Sequence, residues 1–274
     1  MALHLQPNRF DLNRLKPGAT CIMVAKRRSG KSVAIKELMH HFDTKCGIKA
    51  GVVCSHSEEV DPYYSKFFPA AFIFSDCAKM LRKVIERQEK LLEENERLKQ
   101  EGKQQKDSRI LVVLDDVIDD PTIAKNEDFN NIMFNGRHYN ITLIIAVQYV
   151  KALPPGARQN FDYIFLFAND IGAEIKKMYD SFAGMFPTEK VFRTVLQTFT
   201  KNYQILVLDM TGGPNASLQD KFGVFKANIN LTYDTFGCKA FNEFHQKHYN
   251  KDWKKSKKGG IQVGANGRDI AILY

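Results

Sequence analysis

The sequence predicts an α/β protein with a mainly parallel sheet covered by helices on both faces. Three observations predict it. Short, strongly apolar runs, ATCIMVA at 19–25, RILVVL at 109–114 and ITLIIAV at 141–147, have the length of strands buried on both sides. Segments with apolar residues at helical spacing separate them, and strands alternating with helices pair in parallel through crossovers. The chain has 274 residues, 44% hydrophobic and 26% charged, the balance of one large globular domain or of one domain with an appendage.

The elements follow in order. Residues 19–25 are a buried strand. After a glycine-containing loop, Val33, Ala34, Leu38, Met39 and Phe42 recur at helical spacing. GVVC at 51–54 is a second strand and AFIF at 71–74 a candidate third. Residues 76–106 form a long charged helix, with a narrow apolar seam through Leu81, Val84 or Ile85, Leu91 or Leu92, and Leu98. About 30 such residues reach roughly 40 Å. A narrow seam suits a solvated helix lying over the sheet, which is favoured, or one that protrudes and pairs with a neighbour. Strands at 109–114, 141–147, 163–168 and 204–208 are separated by helical patterns at 126–135, 171–183 and 188–199. After Met210 the texture becomes loop-like, and 222–231 is expected to add an edge strand. The division expected is an N-terminal segment (1–16), a core domain (17–231) carrying the 76–106 helix as an insertion, and a basic tail (232–274).

Composition excludes several classes. No apolar run approaches the roughly 20 residues of a membrane helix, so no transmembrane anchor is expected, and the first residues lack a signal peptide's apolar core. The five cysteines (Cys21, Cys46, Cys54, Cys77, Cys238) are scattered and form no CxxC pair, which reads as reduced thiols in a cytosol-like compartment. Cys238, His245 and His248 match no standard zinc spacing. The net charge of +9 is concentrated at two places. Residues 1–31 carry seven basic residues against Asp11 alone. Residues 247–258 carry six lysines against Asp252 alone. Localised positive charge favours polyanions, either nucleotide phosphates or nucleic acid.

The first strand runs into Ala25-Lys26-Arg27-Arg28-Ser29-Gly30-Lys31-Ser32 and then a helix. This is the Walker A phosphate loop, with Ala25 in place of the first glycine. Its backbone N–H groups curl around a β-phosphate at the helix N-terminus, and Gly30 permits the close approach. Lys31 reaches the β- and γ-phosphates, and the Ser32 hydroxyl is placed to ligate Mg²⁺. Arg27 and Arg28, unusual in the crown of such a loop, are expected to face solvent or a neighbouring subunit. The strand at 109–114 ends in Asp115-Asp116, a Walker B pattern. Asp115 would hold Mg²⁺ directly or through water. Asp116 would polarise the attacking water, alone or with another residue, since Asp is shorter than the Glu usual there. An extra strand at 51–54 between these motifs, with the second acid, marks the ATPase (ASCE) branch of RecA-like phosphate-loop proteins. No LSGGQ-like segment points to a transporter ATPase.

A third motif runs Asn135-Gly136-Arg137-His138-Tyr139-Asn140-Ile141 into a strand that ends at Gln148, expected beside the Asp115 strand. Gln148 can sense the γ-phosphate or orient the water. His138 reads as a packed histidine. Together with GKS, LDD and the trailing Leu153-Pro154-Pro155, this segment resembles the DNA-packaging ATPases of nucleocytoplasmic large DNA viruses, in the FtsK/HerA superfamily of DNA-pumping motors. The resemblance covers about Pro17 to Met210. It implies ATP and Mg²⁺ as cofactors, with residues 25–32 on the nucleotide, Ser32 and Asp115 on the metal, and Lys31, Asp116 and Gln148 in catalysis. It implies that Arg137, with Arg158 as the alternative, is an arginine finger given to a neighbouring subunit. It further implies a homo-oligomeric ring that threads double-stranded DNA into a capsid, with capsid or portal proteins as partners. Its setting would be the assembly site in the cytosol of an infected cell, or the virion. The departures are Asp116 and the 76–106 helix. Other classes consistent with the same loop are a nucleotide-dependent assembly switch or scaffold and a helicase or recombination ATPase of a mobile element.

Overall fold

A computed structural model describes residues 6–118, 120–213 and 215–250. Among the described residues nine strands form one sheet: β1 (Asn8–Arg9), β2 (Thr20–Val24), β3 (Gly51–Ser55), β4 (Ile73–Phe74), β5 (Ile110–Asp115), β6 (Ile141–Val147), β7 (Tyr163–Leu166), β8 (Gln204–Asp209) and β9 (Phe222–Lys226). Their order is β1-β9-β8-β7-β2-β6-β5-β3-β4. Every pairing is parallel except those that β8 makes with β7 and β9. In β2, β3, β5, β6 and β7 every residue is buried. Successive side chains point to opposite faces, so both faces of the sheet are covered, as the unbroken apolar runs predict.

The helices are α1 (Lys31–Thr44), α2 (Cys77–Gln100), α3 (Pro121–Ala124), α4 (Glu127–Asn135), α5 (Gly172–Phe182), α6 (Glu189–Phe199) and α7 (Lys239–His248). The long charged helix is α2, started by the Asp76 carboxylate, which accepts from the Lys79 N–H at 3.0 Å. Met80, Leu81, Val84, Ile85, Gln88 and Leu91 are buried, so the helix lies on the body over most of its length. Gln88 donates to the carbonyls of Ser108 (2.8 Å) and Tyr139. The Asn95 side chain bonds the Lys106 backbone in both directions. The helix is therefore tied at two points, Gln88 and Asn95, to the segment that leads into β5.

As expected, the Gln148 strand β6 lies beside the Asp115 strand β5, between it and the phosphate-loop strand β2, and the additional strand β3 lies on the far side of β5. Other expectations need correction. β9 is not the edge, because β1, from the N-terminal segment set apart at 1–16, pairs outside it, and the Phe10 N–H donates to the Val224 carbonyl at 2.9 Å. Residues 232–250 of the expected tail pack on the body. Phe236 and Phe241 are buried, and Phe241 stacks on Phe72 with ring centroids 4.0 Å apart. Gly51 makes room for this segment, since a Cβ there would meet the Phe236 ring at 3.0 Å. The lysines from Lys251 onward lie outside the described residues. The expectation that all five cysteines are reduced is also corrected. Cys54 and Cys77 form a disulfide, with Cα atoms 5.8 Å apart. The chain leaves β3, loops through β4 and starts α2 beside the same strand end, and no sequence spacing signals that return.

Candidate active site

β2 delivers the phosphate loop to the C-terminal edge of the parallel strands. The Ala25 N–H donates to the Val147 carbonyl at 3.0 Å, which fixes the loop's start against β6. Arg28 (φ 62°) and Gly30 (φ 91°) are left-handed, which curls the loop. The Ser29 hydroxyl donates to the Lys26 carbonyl at 2.6 Å. Gly30 is the N-cap of α1 and offers no side-chain acceptor, so the first amides of α1 keep their hydrogen-bonding capacity for an anion. Arg27 and Arg28 are exposed in the crown of the loop.

The two acids stand opposite. Asp115, at the end of β5, is buried, as is Lys31. The Lys31 ammonium lies 2.9 Å from Asp115 Oδ1 and also pairs with Asp116. Asp116 turns out of the strand with φ 54°, a left-handed value that Asp tolerates. Its N–H donates to the Ala146 carbonyl at 3.0 Å. One residue past β6, Gln148 Nε2 donates to Asp116 Oδ2 at 3.2 Å. The structure therefore brings Lys31, Asp115, Asp116 and Gln148 together above β5 and β6, next to the first turn of α1 that holds Ser32. Asp116 Oδ1 is buried with no hydrogen-bond partner. A carboxylate oxygen left open in this way, a second carboxylate, a serine on the adjacent turn and an uncapped helix N-terminus form a donor set that fits Mg²⁺ with a triphosphate.

Sequence reasoning missed two tyrosines. Tyr64 is buried and its hydroxyl donates to Asp115 Oδ2 at 2.8 Å. The Tyr63 hydroxyl donates to the Ser32 carbonyl at 3.0 Å. Glu58 accepts from the N–H groups of Tyr63, Tyr64 and Ser65 at 2.8 to 2.9 Å, and so fixes the loop that carries both rings. Burial, then the Asp115 charge, pushes Tyr63 up to about 12 and raises Tyr64 well above the ordinary phenol value, so both remain donors at neutral pH. The only signal was a Tyr-Tyr pair in a loop of no period.

Arg137 is not brought to this site. It precedes β6 at the opposite end of the strands, and seven residues of β6 at about 3.3 Å each set it roughly 20 Å away. There it pairs with Asp162, whose other oxygen accepts the Thr20 N–H at 2.9 Å. The arginine side chain is nonetheless 64% exposed. Arg158 lies after β6 and donates to the Leu153 carbonyl at 3.0 Å. It lines a groove with Ile118, Tyr149, Lys125, Lys151 and Lys177, of about 680 Å³.

Comparison with known proteins places the chain. The poxvirus A32 protein family matches residues 8–210. An uncharacterised protein of Acanthamoeba polyphaga mimivirus, L437, is 32% identical over 93% of this chain and 88% of its own length. Protein 075L of Invertebrate iridescent virus 6 is 27% identical over 90% of this chain and 96% of its own. Among solved structures, the genome packaging NTPase B204 of Sulfolobus turreted icosahedral virus 2, in complex with AMPPCP, matches with a TM-score of 0.52 and 16% identity. That match covers 78% of this chain and all of B204, and at this identity it shows the phosphate-loop ATPase fold. With the family match spanning both acidic and phosphate-loop motifs, the chain belongs to the poxvirus A32 protein family.

Proposed function

We propose that the protein hydrolyses ATP and uses the energy to move double-stranded viral DNA into a capsid, working as a homo-oligomeric ring. The observation that carries the reading is the convergence of Lys31, Asp115, Asp116 and Gln148 beside the uncapped start of α1. Family membership and the fold shared with B204, a genome packaging NTPase, support the packaging role.

The chain's own groups account for the chemistry. The amides of residues 26–32 and the Lys31 ammonium neutralise the β- and γ-phosphates. Asp116 Oδ1, which has no hydrogen-bond partner, accepts a proton from the attacking water as its oxygen bonds the γ-phosphorus and the bond to the β,γ-bridging oxygen breaks. Gln148 holds the other Asp116 oxygen and so aims the carboxylate. Asp115 and Ser32 would hold Mg²⁺, which supplies charge to the phosphate oxygens. Arg137, on the far end of the strands, serves only a neighbouring subunit's site. Capsid or portal proteins are the partners and the assembly site of the infected cell is the setting.

Lys31→Ala is expected to abolish ATP turnover. Asp116→Asn is expected to bind ATP normally and hydrolyse none. Normal turnover in Asp116→Asn removes that residue from the mechanism. Duplex DNA is expected to stimulate the wild type, and unchanged turnover with DNA would leave a nucleotide-dependent assembly switch instead of a motor.

A further inference from the structure

The acids and Gln148 occupy one side of the phosphate loop. In the sheet they stand on β5 and β6, while β7 and β8 lie across β2 on the other side. A nucleoside triphosphate whose γ end faces Asp115 and Asp116 must extend its sugar and base across the loop toward β7 and β8. β8 runs antiparallel to β7, so its first residue, Gln204, stands at the phosphate-loop end. Tyr203 immediately precedes it.

Tyr203 has three unusual features. Its ring atom Cδ1 lies 3.6 Å from the position a Cβ would take on Gly30, so the ring rests at the last glycine of the phosphate loop. It is 70% exposed, which is unusual for a large aromatic held in place. Asn202 (φ 55°) and Tyr203 (φ 60°) are both left-handed, two consecutive non-glycine residues in a region that L side chains rarely adopt. Strain of this kind persists where it positions something, and burying the ring is not its purpose here. Nearby, the chain leaves β9 at the same end, since Lys226 pairs in register with Gln204. It then runs along α1, with the Asn228 N–H donating to Glu37 and the Leu231 carbonyl accepting from Lys36 at 3.0 Å. Between those anchors Ile229 is 80% exposed.

We propose that Tyr203 is the stacking platform for the purine base of the bound nucleoside triphosphate, with Ile229 on the strap along α1 as an apolar flank of the same subsite. The proposal rests on residues 25–32 binding the phosphates. The left-handed turn at Asn202-Tyr203 sets the ring beside Gly30, on the side of the loop toward which the base must extend. Stacking is tolerant of base identity, because every base presents a π-face, so this subsite adds affinity more than discrimination.

The test uses ATP and inorganic tripolyphosphate with Mg²⁺, titrated calorimetrically into the full chain. Tyr203→Asn removes the ring while keeping a residue that tolerates a left-handed backbone. It is expected to weaken ATP binding about 5- to 150-fold, the range for one lost base stack, and to leave tripolyphosphate binding unchanged. Tyr203→Phe is expected to bind ATP like the wild type. Tyr203→Asn that holds ATP normally, or that loses ATP and tripolyphosphate equally, overturns the platform. Lys31→Ala run alongside separates the two levels. If it loses tripolyphosphate while Tyr203→Asn keeps ATP, only the platform fails. If it binds tripolyphosphate as well as the wild type does, the phosphate site fails and the platform falls with it.

Discussion

At the residue scale, the site is a set of carboxylates whose orientation is controlled from several sides. Asp116 is aimed by Gln148 and Asp115 by Tyr64. The Tyr64 hydroxyl stays protonated because burial and the Asp115 charge both oppose its ionisation. Removing it leaves a buried carboxylate oxygen without its donor and frees Asp115 to rotate. A hydrogen bond to a charged group contributes about 1.5–3 kcal/mol, so Tyr64→Phe is expected to lower turnover at saturating Mg²⁺ and ATP by about tenfold or more. ATP affinity should hold, because in the proposed mechanism the phosphates bind the loop amides and Lys31. Parallel turnover and equilibrium ATP titrations check this, and an unchanged rate would make Tyr64 a packing residue. Lys31, Asp115, Asp116 and Gln148 were legible in the sequence because each sits at a fixed offset from an apolar strand. Tyr63 and Tyr64 were not, because a loop residue reaches its partner through a turn that Glu58 holds by three backbone contacts.

At the element scale, legibility follows length and amphipathicity. β2, β5 and β6 announce themselves as apolar runs buried on both faces. β1 has two residues, too few for any period, and its position outside β9 depends on Phe10 packing against Tyr163 and Phe165. α7 shows a single buried residue, Phe241, among polar ones, so its sequence reads as solvated until the Phe72 ring beneath it is known. α1 carries a further consequence. His41 is buried on that helix and its Nε2 has no hydrogen-bond partner. Burial lowers its pKa below the ordinary imidazole value, against smaller opposing contributions from the Leu15 backbone and Asp11. The unfolded chain then binds a proton near pH 6.5 that the folded chain refuses. Stability from this group is present above that pH and is lost as pH falls through it. Urea melts at pH 7.5 and pH 5.5 are expected to show a loss on acidification that is smaller in His41→Leu; an equal loss in both proteins would locate the acid sensitivity elsewhere.

At the scale of the whole molecule, the parallel sheet has a chemical end and an opposite end. The chemical end holds the phosphate loop, both acids and Gln148. The opposite end holds Arg137, about 20 Å away along β6, beside Asp162 and exposed over most of its side chain. An arginine so placed is out of reach of its own subunit's nucleotide. In a ring where the chemical end of one subunit meets the Arg137 end of the next, each site is completed in trans. Fingers of this kind are worth about 10³–10⁵ in rate. Arg137→Ala is therefore expected to bind ATP and turn over almost none, and wild-type turnover per subunit should fall on dilution. The Asp162 pairing offers a competing account, in which Arg137 only ties β6 to β7 and β2. Mixing separates the two. Lys31→Ala supplies an intact arginine and Arg137→Ala an intact phosphate loop, so some interfaces in a mixed ring carry one complete site. Recovered turnover in the mixture, from two parents that are each inactive, is the expected result. A mixture that stays inactive although the subunits have exchanged, or dilute monomers that hydrolyse at the full rate, would withdraw Arg137. Arg158, in the groove beside Tyr149, would then be the next arginine to test.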